Sequence, residues 1–419
     1  MLTEIFLNRY AALLTQRYLA FEKIPSCPPP KPEKNKRYLL YIHVPFCEQL
    51  CPYCCFMRVK FEPSLASAYF DALNKEIENY YNLGYCFDSI YVGGGTPTIM
   101  PDKLAAIFSF IKSIWSIKQI SIETNPDHLT EKILAVLRDI GTNRLSVGVQ
   151  SFDNTILESI GRLEKYGSGQ EIKQRLSSVV GMFDTLNIDM IFNFPNQTEE
   201  ILEADIKFIK EIKADQVTYY PLMVSDSKRK EIAEKLGKIS CTREKRLYRL
   251  LTEQLADTYN QESVWCFSNK KGLIDEYIVE HDEYVGVGPG CWGYINGTMY
   301  SNTFSIQQYI SLLGENKSPV IAKRTFSHLE RIRYGLLLKL LKGSVSVADM
   351  KEKFGSYFWF YLCAEFLFLF ITRTITFRDN NIILTRRGRY YWVILMRTLF
   401  SIAGDYRQKR VCSDAPYPV

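Results

Sequence analysis

Cys47, Cys51 and Cys54 stand in Tyr41-Ile-His-Val-Pro-Phe-Cys47-Glu-Gln-Leu-Cys51-Pro-Tyr-Cys54 as C-x3-C-x2-C. Three thiols this close in sequence can wrap one metal cluster. A 4Fe–4S cube has four irons, and cysteines usually hold all of them. Three cysteines leave one iron without a protein ligand, and an open coordination position is where chemistry takes place. A zinc site would want a fourth Cys or His at a matching second knuckle. Cys86 and His128 are single residues with no partner at that spacing. Free Cys also buries readily in cores, so the context of the loop has to decide.

Short β-rich runs alternate with longer helical patterns, the sign of a parallel sheet with crossover helices. The expected strands are Arg37–Val44, Ser89–Gly93, Gln119–Glu123, Arg144–Val149, Asn187–Ile191 and Gln216–Tyr220. Amphipathic segments lie between them: Ser64–Leu83, Pro101–Ser113, Thr130–Asp139, Gly169–Leu186 and Thr198–Ile212. Six βα units in series predict an α/β fold, an open or partial (β/α)6 TIM-like barrel. In such barrels chemistry collects at the C-terminal strand ends.

Special residues cluster at those ends. The first strand runs into the cysteine loop. The second ends in Gly93-Gly94-Gly95-Thr96-Pro97-Thr98, where glycines let backbone approach a ligand with no Cβ in the way. Glu123, Gln150 and Asp189 close the third, fourth and fifth strands, and Gly161-Arg162 follows the fourth. Polar groups at the ends of apolar strands are costly to bury without a partner.

The cysteine loop resembles the signature of the radical S-adenosylmethionine (SAM) superfamily. The resemblance implies a 4Fe–4S cluster whose open iron is chelated by the amino and carboxylate groups of SAM. One electron from the cluster then splits the sulfonium, and a 5′-deoxyadenosyl radical abstracts hydrogen from substrate. Six stretches resemble one subgroup, the oxygen-independent coproporphyrinogen III oxidases and the related haem chaperones. They are Tyr41–Cys47, Cys51-Pro-Tyr-Cys54, Gly93–Thr98, Glu123-Thr-Asn-Pro126, Ser146-Val-Gly-Val-Gln-Ser-Phe152 and Gly161-Arg162, within a likeness running from about Arg37 to Tyr300. By that likeness Tyr41, Gly94, Thr96, Glu123, Gln150, Arg162 and Asp189 contact SAM. Gly93, Gly94 and Gly95 form its amino-group site, and Tyr53 lies by the adenine. No side chain is assigned as catalytic.

The match departs at two places. The oxidases carry a fourth cysteine two residues after the third, where this chain has Phe56; the neighbouring Cys55 reads as a buried thiol beside the cluster. The chaperones carry a Tyr-Trp pair just before a Gly-x-Gly segment. Here the run is Glu280-His-Asp-Glu-Tyr284-Val-Gly-Val-Gly288-Pro-Gly290, without that pair. Gly286 and Gly288 read as a turn. Three functions therefore stand: oxidative decarboxylation of tetrapyrrole propionates to vinyl groups, haem binding as a chaperone, and radical SAM methyl transfer or haem opening. All imply a tetrapyrrole or haem partner, and the enzymatic readings also imply a one-electron donor such as flavodoxin or ferredoxin.

Composition agrees with an enzyme of a reducing, cytoplasmic compartment. The 419 residues are 47% hydrophobic, enough for a large domain and a smaller one. Eleven cysteines, an odd number, form no regular framework. The N-terminus lacks a secretory apolar core. The most apolar stretch, Tyr357 to Ile371, carries Glu365 and is too short to span a bilayer, so it reads as a buried or interface helix. The net charge of +6 is dispersed and points to no nucleic acid.

The expected division is an N-terminal helical extension (1–36), the radical SAM partial barrel (37–225), a substrate-side barrel extension (226–324) and a C-terminal helical, winged-helix-like lid (325–419). In the extension, Trp265, Trp292 and Tyr294 are aromatic candidates for stacking on a planar macrocycle, with a core role as the ordinary alternative. His281 is a candidate haem ligand, with a hydrogen-bonded surface role as its ordinary alternative. In the lid, Glu330–Leu341 and Ser346–Phe354 read as helices, and Asp379-Asn380-Asn381 reads as a turn between two β-rich arms. The tail Arg407–Val419 reads as loose.

Overall fold

The computed structural model describes residues 2–270 and 277–414. Helix α1 (Leu2–Tyr18) precedes six parallel strands: β1 (Arg37–Val44), β2 (Cys86–Gly94), β3 (Gln119–Thr124), β4 (Arg144–Gln150), β5 (Thr185–Phe192) and β6 (Gln216–Pro221). Crossover helices join them in turn: α2 (Pro63–Asn82), α3 (Pro101–Ile114), α4 (Glu131–Ile140), α5 (Gly169–Val179) and α6 (Glu199–Ile212). Local chemistry sets the helix starts. The Thr198 side chain accepts the Ile201 N–H ahead of α6, whose first turn carries Glu199 and Glu200. Ser168 and Glu171 form a reciprocal capping box at α5.

The strands are buried on both faces, as parallel strands between helices must be. Among the interior positions of β1, β3, β5 and β6, one residue each is only half-buried: Tyr41, Glu123, Asp189 and Tyr220. In β4 the half-buried residues are Gly148 and Gln150. A single row of openings therefore faces one place.

The sheet is larger than the six expected strands. After helix α7 (Cys241–Leu255), β7 (Cys266–Ser268) pairs antiparallel with β6. On the other side β8 (Tyr284–Val287) runs parallel to β1, and β9 (Trp292–Ile295), β10 (Thr298–Asn302) and β11 (Val320–Thr325) extend it antiparallel. With the short strands Glu22–Lys23 and Asn260–Gln261 at its edges, the described sheet has thirteen strands and stays open. Strands of the 226–324 segment thus extend the parallel core on both sides. Gly286 and Gly288 lie in and just after β8. A Cβ on Gly286 would fall 2.2 Å from the Trp292 carbonyl oxygen, so close strand packing explains that glycine.

The C-terminal part comprises α8 (His328–Lys339), α9 (Val347–Phe354), α10 (Cys363–Ile371), the hairpin β12 (Ile375–Arg378) and β13 (Asn381–Leu384), and α11 (Arg386–Asp414). Asp379 and Asn380 both adopt positive φ, 50° and 58°, as a two-residue hairpin turn requires. Three expectations change. The 169–186 helix ends at Val179, because from Thr185 the chain pairs with β4. The apolar stretch 357–371 breaks at Leu362 into Phe358–Tyr361 and α10, and leaves Phe360 and Ile371 largely exposed. The tail is helical to Asp414 rather than loose, because α11 buries Ala403 and packs along α1; residues 415–419 lie outside the described residues. The Asn8 side chain accepts from Thr398 (2.7 Å) and Arg397 (3.3 Å), tying the two ends of the chain together. No helix among the described residues is long and apolar enough to cross a membrane.

Candidate functional site: a cysteine loop at the strand ends

The cysteine loop is fastened by its backbone, which frees its thiols. Phe46–Cys47 pairs with Val59–Lys60 as a short parallel ladder. Arg58 Nη2 donates to the Cys51 carbonyl, and also to that of Cys54 at 3.4 Å. Lys228 Nζ reaches the carbonyls of Pro52 and Cys54, each at 3.4 Å. Gln49 donates to the Gly161 carbonyl at 2.5 Å. Cys47, Cys51, Cys54 and Cys55 all line one cleft of about 2150 Å³, counting the space open to solvent. Counted in the way that gives roughly 300–1000 Å³ for drug-sized sites, the cleft holds about 310 Å³, an ordinary ligand-site size.

The sequence-expected contacts converge there. Tyr41, Tyr53, Gly94, Gly95, Glu123, Gln150, Arg162 and Asp189 line the cleft with the thiols. Gly93 and Thr96 stand behind its wall. A Cβ on Gly93 would lie 2.9 Å from the Glu123 carboxylate, so this glycine makes room for that side chain. Thr96 Oγ1 donates to Cys47 Sγ at 3.7 Å and accepts from Asn125 Nδ2 at 2.9 Å.

Each polar group is held in place. Glu123 accepts from the Tyr91 hydroxyl (2.8 Å) and the Gly94 N–H (3.1 Å). Asp189 accepts from Ser146 (2.7 Å) and Asn187 (2.8 Å). A register shift in β4 between Gly148 and Gln150 accompanies a positive φ of 77° at Gln150, a strained non-glycine conformation at the cleft wall. Arg162 is buried; it stacks on Tyr166 at 4.0 Å and donates to Cys51 Sγ, Asn125 Oδ1 and the Gly148 carbonyl. Tyr41 stacks on Tyr277 with ring centroids 4.8 Å apart and donates to His43 Nδ1 at 3.0 Å. His43 Nε2–H in turn donates to the Met57 carbonyl at 2.8 Å, and burial pushes its pKa down to about 4, so the ring is neutral.

The donor set suits an iron–sulfur cluster with an added ligand. Burial, with Cys54 beside it, pushes the Cys47 thiol up to about 11. Metal coordination deprotonates a thiol outright, which this pocket does not do by itself. A Cβ on Gly95 would meet Cys47 Sγ at 3.0 Å and the Phe46 carbonyl oxygen at 2.5 Å, so only glycine leaves that cradle open. Cys55 is buried against Gly404 of α11, whose added Cβ would fall 2.8 Å from the Cys55 Cβ.

Residues 41–209 match the family model described as the radical SAM superfamily. The barrel is a radical SAM domain. Its cofactors are a 4Fe–4S cluster and SAM. The heme chaperone HemW of Bacillus subtilis (strain 168) is 29% identical over 330 residues, 75% of this chain and 86% of that protein. The oxygen-independent coproporphyrinogen III oxidase of Bradyrhizobium diazoefficiens is 32% identical over 169 residues, but these are 38% of this chain and 37% of that protein. The solved structure of coproporphyrinogen III oxidase (HemN) from Escherichia coli superposes with a TM-score of 0.72 at 20% identity, over 95% of this chain and 93% of that one. That likeness shows the fold, including the helical C-terminal region.

Other expectations land elsewhere. Trp265 and Tyr294 are core residues, Trp265 against Tyr220 and Phe400, Tyr294 against Phe326 and Tyr334; Trp292 alone of the three lines the cleft. His281 borders a separate shallow crevice beside Ser89 and Tyr277. The cleft is also lined by residues that pattern reading missed. Arg58 and Asn125 sit within the quoted stretches or next to them. Thr15, Tyr18 and Leu19 at and just beyond the end of α1, and Phe400 and Arg407 from α11, join the cleft wall from the chain ends with no local signal. A second, almost wholly apolar cavity lies among α1, α8, α10 and α11 and carries no chemistry beyond the Tyr10–Glu365–Arg333 contacts.

Proposed function

We propose that this chain is a radical SAM enzyme acting on a tetrapyrrole held in the outer part of the cleft. The observation that carries this is continuity: the cysteine thiols and the strand-end polar groups share one cleft with an aromatic wall built from Trp292, Phe400 and the end of α1. When bound, the cluster and SAM supply one-electron cleavage and hydrogen-atom abstraction.

The chain's own residues bind and orient. Cys47, Cys51 and Cys54 hold the cluster, leaving one iron to SAM. Gly94 and Gly95 give backbone access for the SAM amino group, Arg162 takes its carboxylate, and Glu123, Gln150 and Asp189 take the remaining polar edge. Tyr53, packed edge-on to Phe194 with ring centroids 6.1 Å apart, offers a face to the adenine. Thr96 acts through Cys47 and Asn125. Segments 325–419 and 1–36 act together as a lid, because α1 and α11 close the cleft jointly and exclude water. The electron comes from a donor protein of the flavodoxin or ferredoxin class.

The leading reaction is oxidative decarboxylation of propionate side chains, in which one hydrogen atom goes to the SAM-derived radical, CO2 leaves, and the remaining electron passes to a one-electron acceptor. Haem chaperoning is favoured by one specific observation, the relatives that match 75% of this chain being named heme chaperones. Anaerobic incubation of the reconstituted protein with reductant, SAM and either coproporphyrinogen III or haem decides. The enzyme reading expects 5′-deoxyadenosine with a tetrapyrrole 46 Da lighter per propionate converted, roughly the mass of CO2 and two hydrogens. Tight haem binding with an unaltered macrocycle favours the chaperone, and S-adenosylhomocysteine favours methyl transfer.

A further inference from the structure

Three cationic side chains line the cleft among the described residues: Arg58, Arg162 and Arg407. Two donate hydrogen bonds to the protein. Arg58 clamps the carbonyls of Cys51 and Cys54, and Arg162, assigned above to the SAM carboxylate, donates to Cys51, Asn125 and Gly148; each keeps only its Nε buried without a partner among the described residues.

Arg407 on α11 is different. Its guanidinium lies over Trp292, 4.5 Å from the ring centroid, and 5.9 Å from the centroid of Phe56. Its Nη1 is buried and has no hydrogen-bond partner among the described residues. The neighbouring acid on the same helix does not serve it. Asp405 accepts the N–H groups of Asp226 and Ser227 and the Ser227 hydroxyl. Glu123 and Asp189, the cleft acids, are engaged by their own donors. A buried donor on a charged group is costly unless an acceptor arrives. An aromatic ring beneath a guanidinium orients its plane, and that planar fork matches a carboxylate bidentately.

We infer that Arg407 is the anchor for a carboxylate on the rim of the substrate, with Trp292 and Phe56 supporting the guanidinium. This rests on the tetrapyrrole reading above and adds which edge of the ligand faces α11. Propionate side chains are carboxylates on an otherwise planar, apolar body, so one end of the molecule meets Arg407 while the aromatic wall covers its face. Arg407 is a binding residue and takes no part in bond breaking.

The test compares coproporphyrin III with its tetramethyl ester, each in the same mild detergent, titrated into the full chain while its tryptophan fluorescence is followed. The wild-type chain is expected to bind the free acid at least tenfold more tightly than the ester. In Arg407→Gln that preference falls to about threefold or less while ester affinity is unchanged, and Arg407→Lys keeps an intermediate preference. Iron content and melting temperature report on folding. An acid preference retained in Arg407→Gln overturns the inference but leaves the tetrapyrrole reading standing. A loss of SAM affinity in Arg407→Gln with the acid preference intact overturns it too, in favour of a cofactor contact. No binding of either porphyrin by the wild-type chain overturns the tetrapyrrole reading itself.

Discussion

Arg162 Nη1 lies 3.7 Å from the sulfur of Cys51, while Nη2 of the same side chain donates to the Gly148 carbonyl at 2.5 Å. One buried guanidinium thereby ties the loop after β1 to the end of β4. Replacing it by Arg162→Lys removes the planar fork but keeps a charge. Iron content is expected to stay near wild type while the SAM dissociation constant rises at least tenfold, measured by equilibrium dialysis. A SAM affinity unchanged in this variant would remove Arg162 from the SAM site.

Gln150 and Asp189 make a parallel case from the strand side. Asp189 is fixed by Ser146 and Asn187, and Gln150 by its strained backbone. Asp189→Ala and Gln150→Ala are each expected to cost about 1–3 kcal/mol of SAM binding, roughly 5- to 150-fold, as lost hydrogen bonds. Iron should remain near wild type. Unaltered SAM affinity in both variants would take these residues out of the site.

A buried ion pair helps join the C-terminal helix to the barrel. Glu244 on α7 is fully buried and accepts from Arg397 of α11, from the Tyr390 hydroxyl at 3.2 Å and from Asn193 at 3.5 Å. Arg397→Met leaves that carboxylate without its countercharge, at an expected cost of about 3–5 kcal/mol in urea unfolding. The double variant Glu244→Gln with Arg397→Met is expected to recover part of it. A loss below about 1 kcal/mol in the single variant would mean that the pair contributes little.

His43 gives the fold a pH dependence whose sign follows from its burial. The folded ring has a pKa near 4, below its ordinary 6.5. Above 6.5 both folded and unfolded rings are neutral, and His43 adds no slope. As pH falls from 6.5 to 4 only the unfolded chain gains the proton, so stability declines across that window, and below 4 the decline stops. The full effect is about 3 kcal/mol at 1.36 kcal/mol per pH unit. Urea titrations at pH 5 and 7.5 should show the wild type losing more stability than His43→Gln on acidification; equal losses would contradict the assignment.

Much of this was legible in sequence because parallel strands carry their own pattern. The Arg37–Val44 strand is observed with the bounds its apolar run predicts, and Glu123, Gln150 and Asp189 interrupt such runs where the sheet opens to the cleft. The Asp379-Asn380 turn was readable because two consecutive residues tolerant of positive φ stood between β-rich arms. The helix ending at Val179 was overextended because an apolar strand start at Thr185 continued its pattern. Arg407 was invisible for a different reason. Its neighbours Phe56 and Trp292 are distant in sequence, and only the packing of α11 on α1 and the barrel brings it to the cleft.

The cysteine assignment is tested most directly by iron and sulfide analysis of four alanine variants after anaerobic reconstitution. Wild type and Cys55→Ala are expected to hold about four iron and four sulfide per chain, and Cys47→Ala, Cys51→Ala and Cys54→Ala to hold essentially none. Loss of the cluster in Cys55→Ala as complete as in Cys54→Ala would contradict the account, because the open iron on which SAM depends would then have a protein ligand.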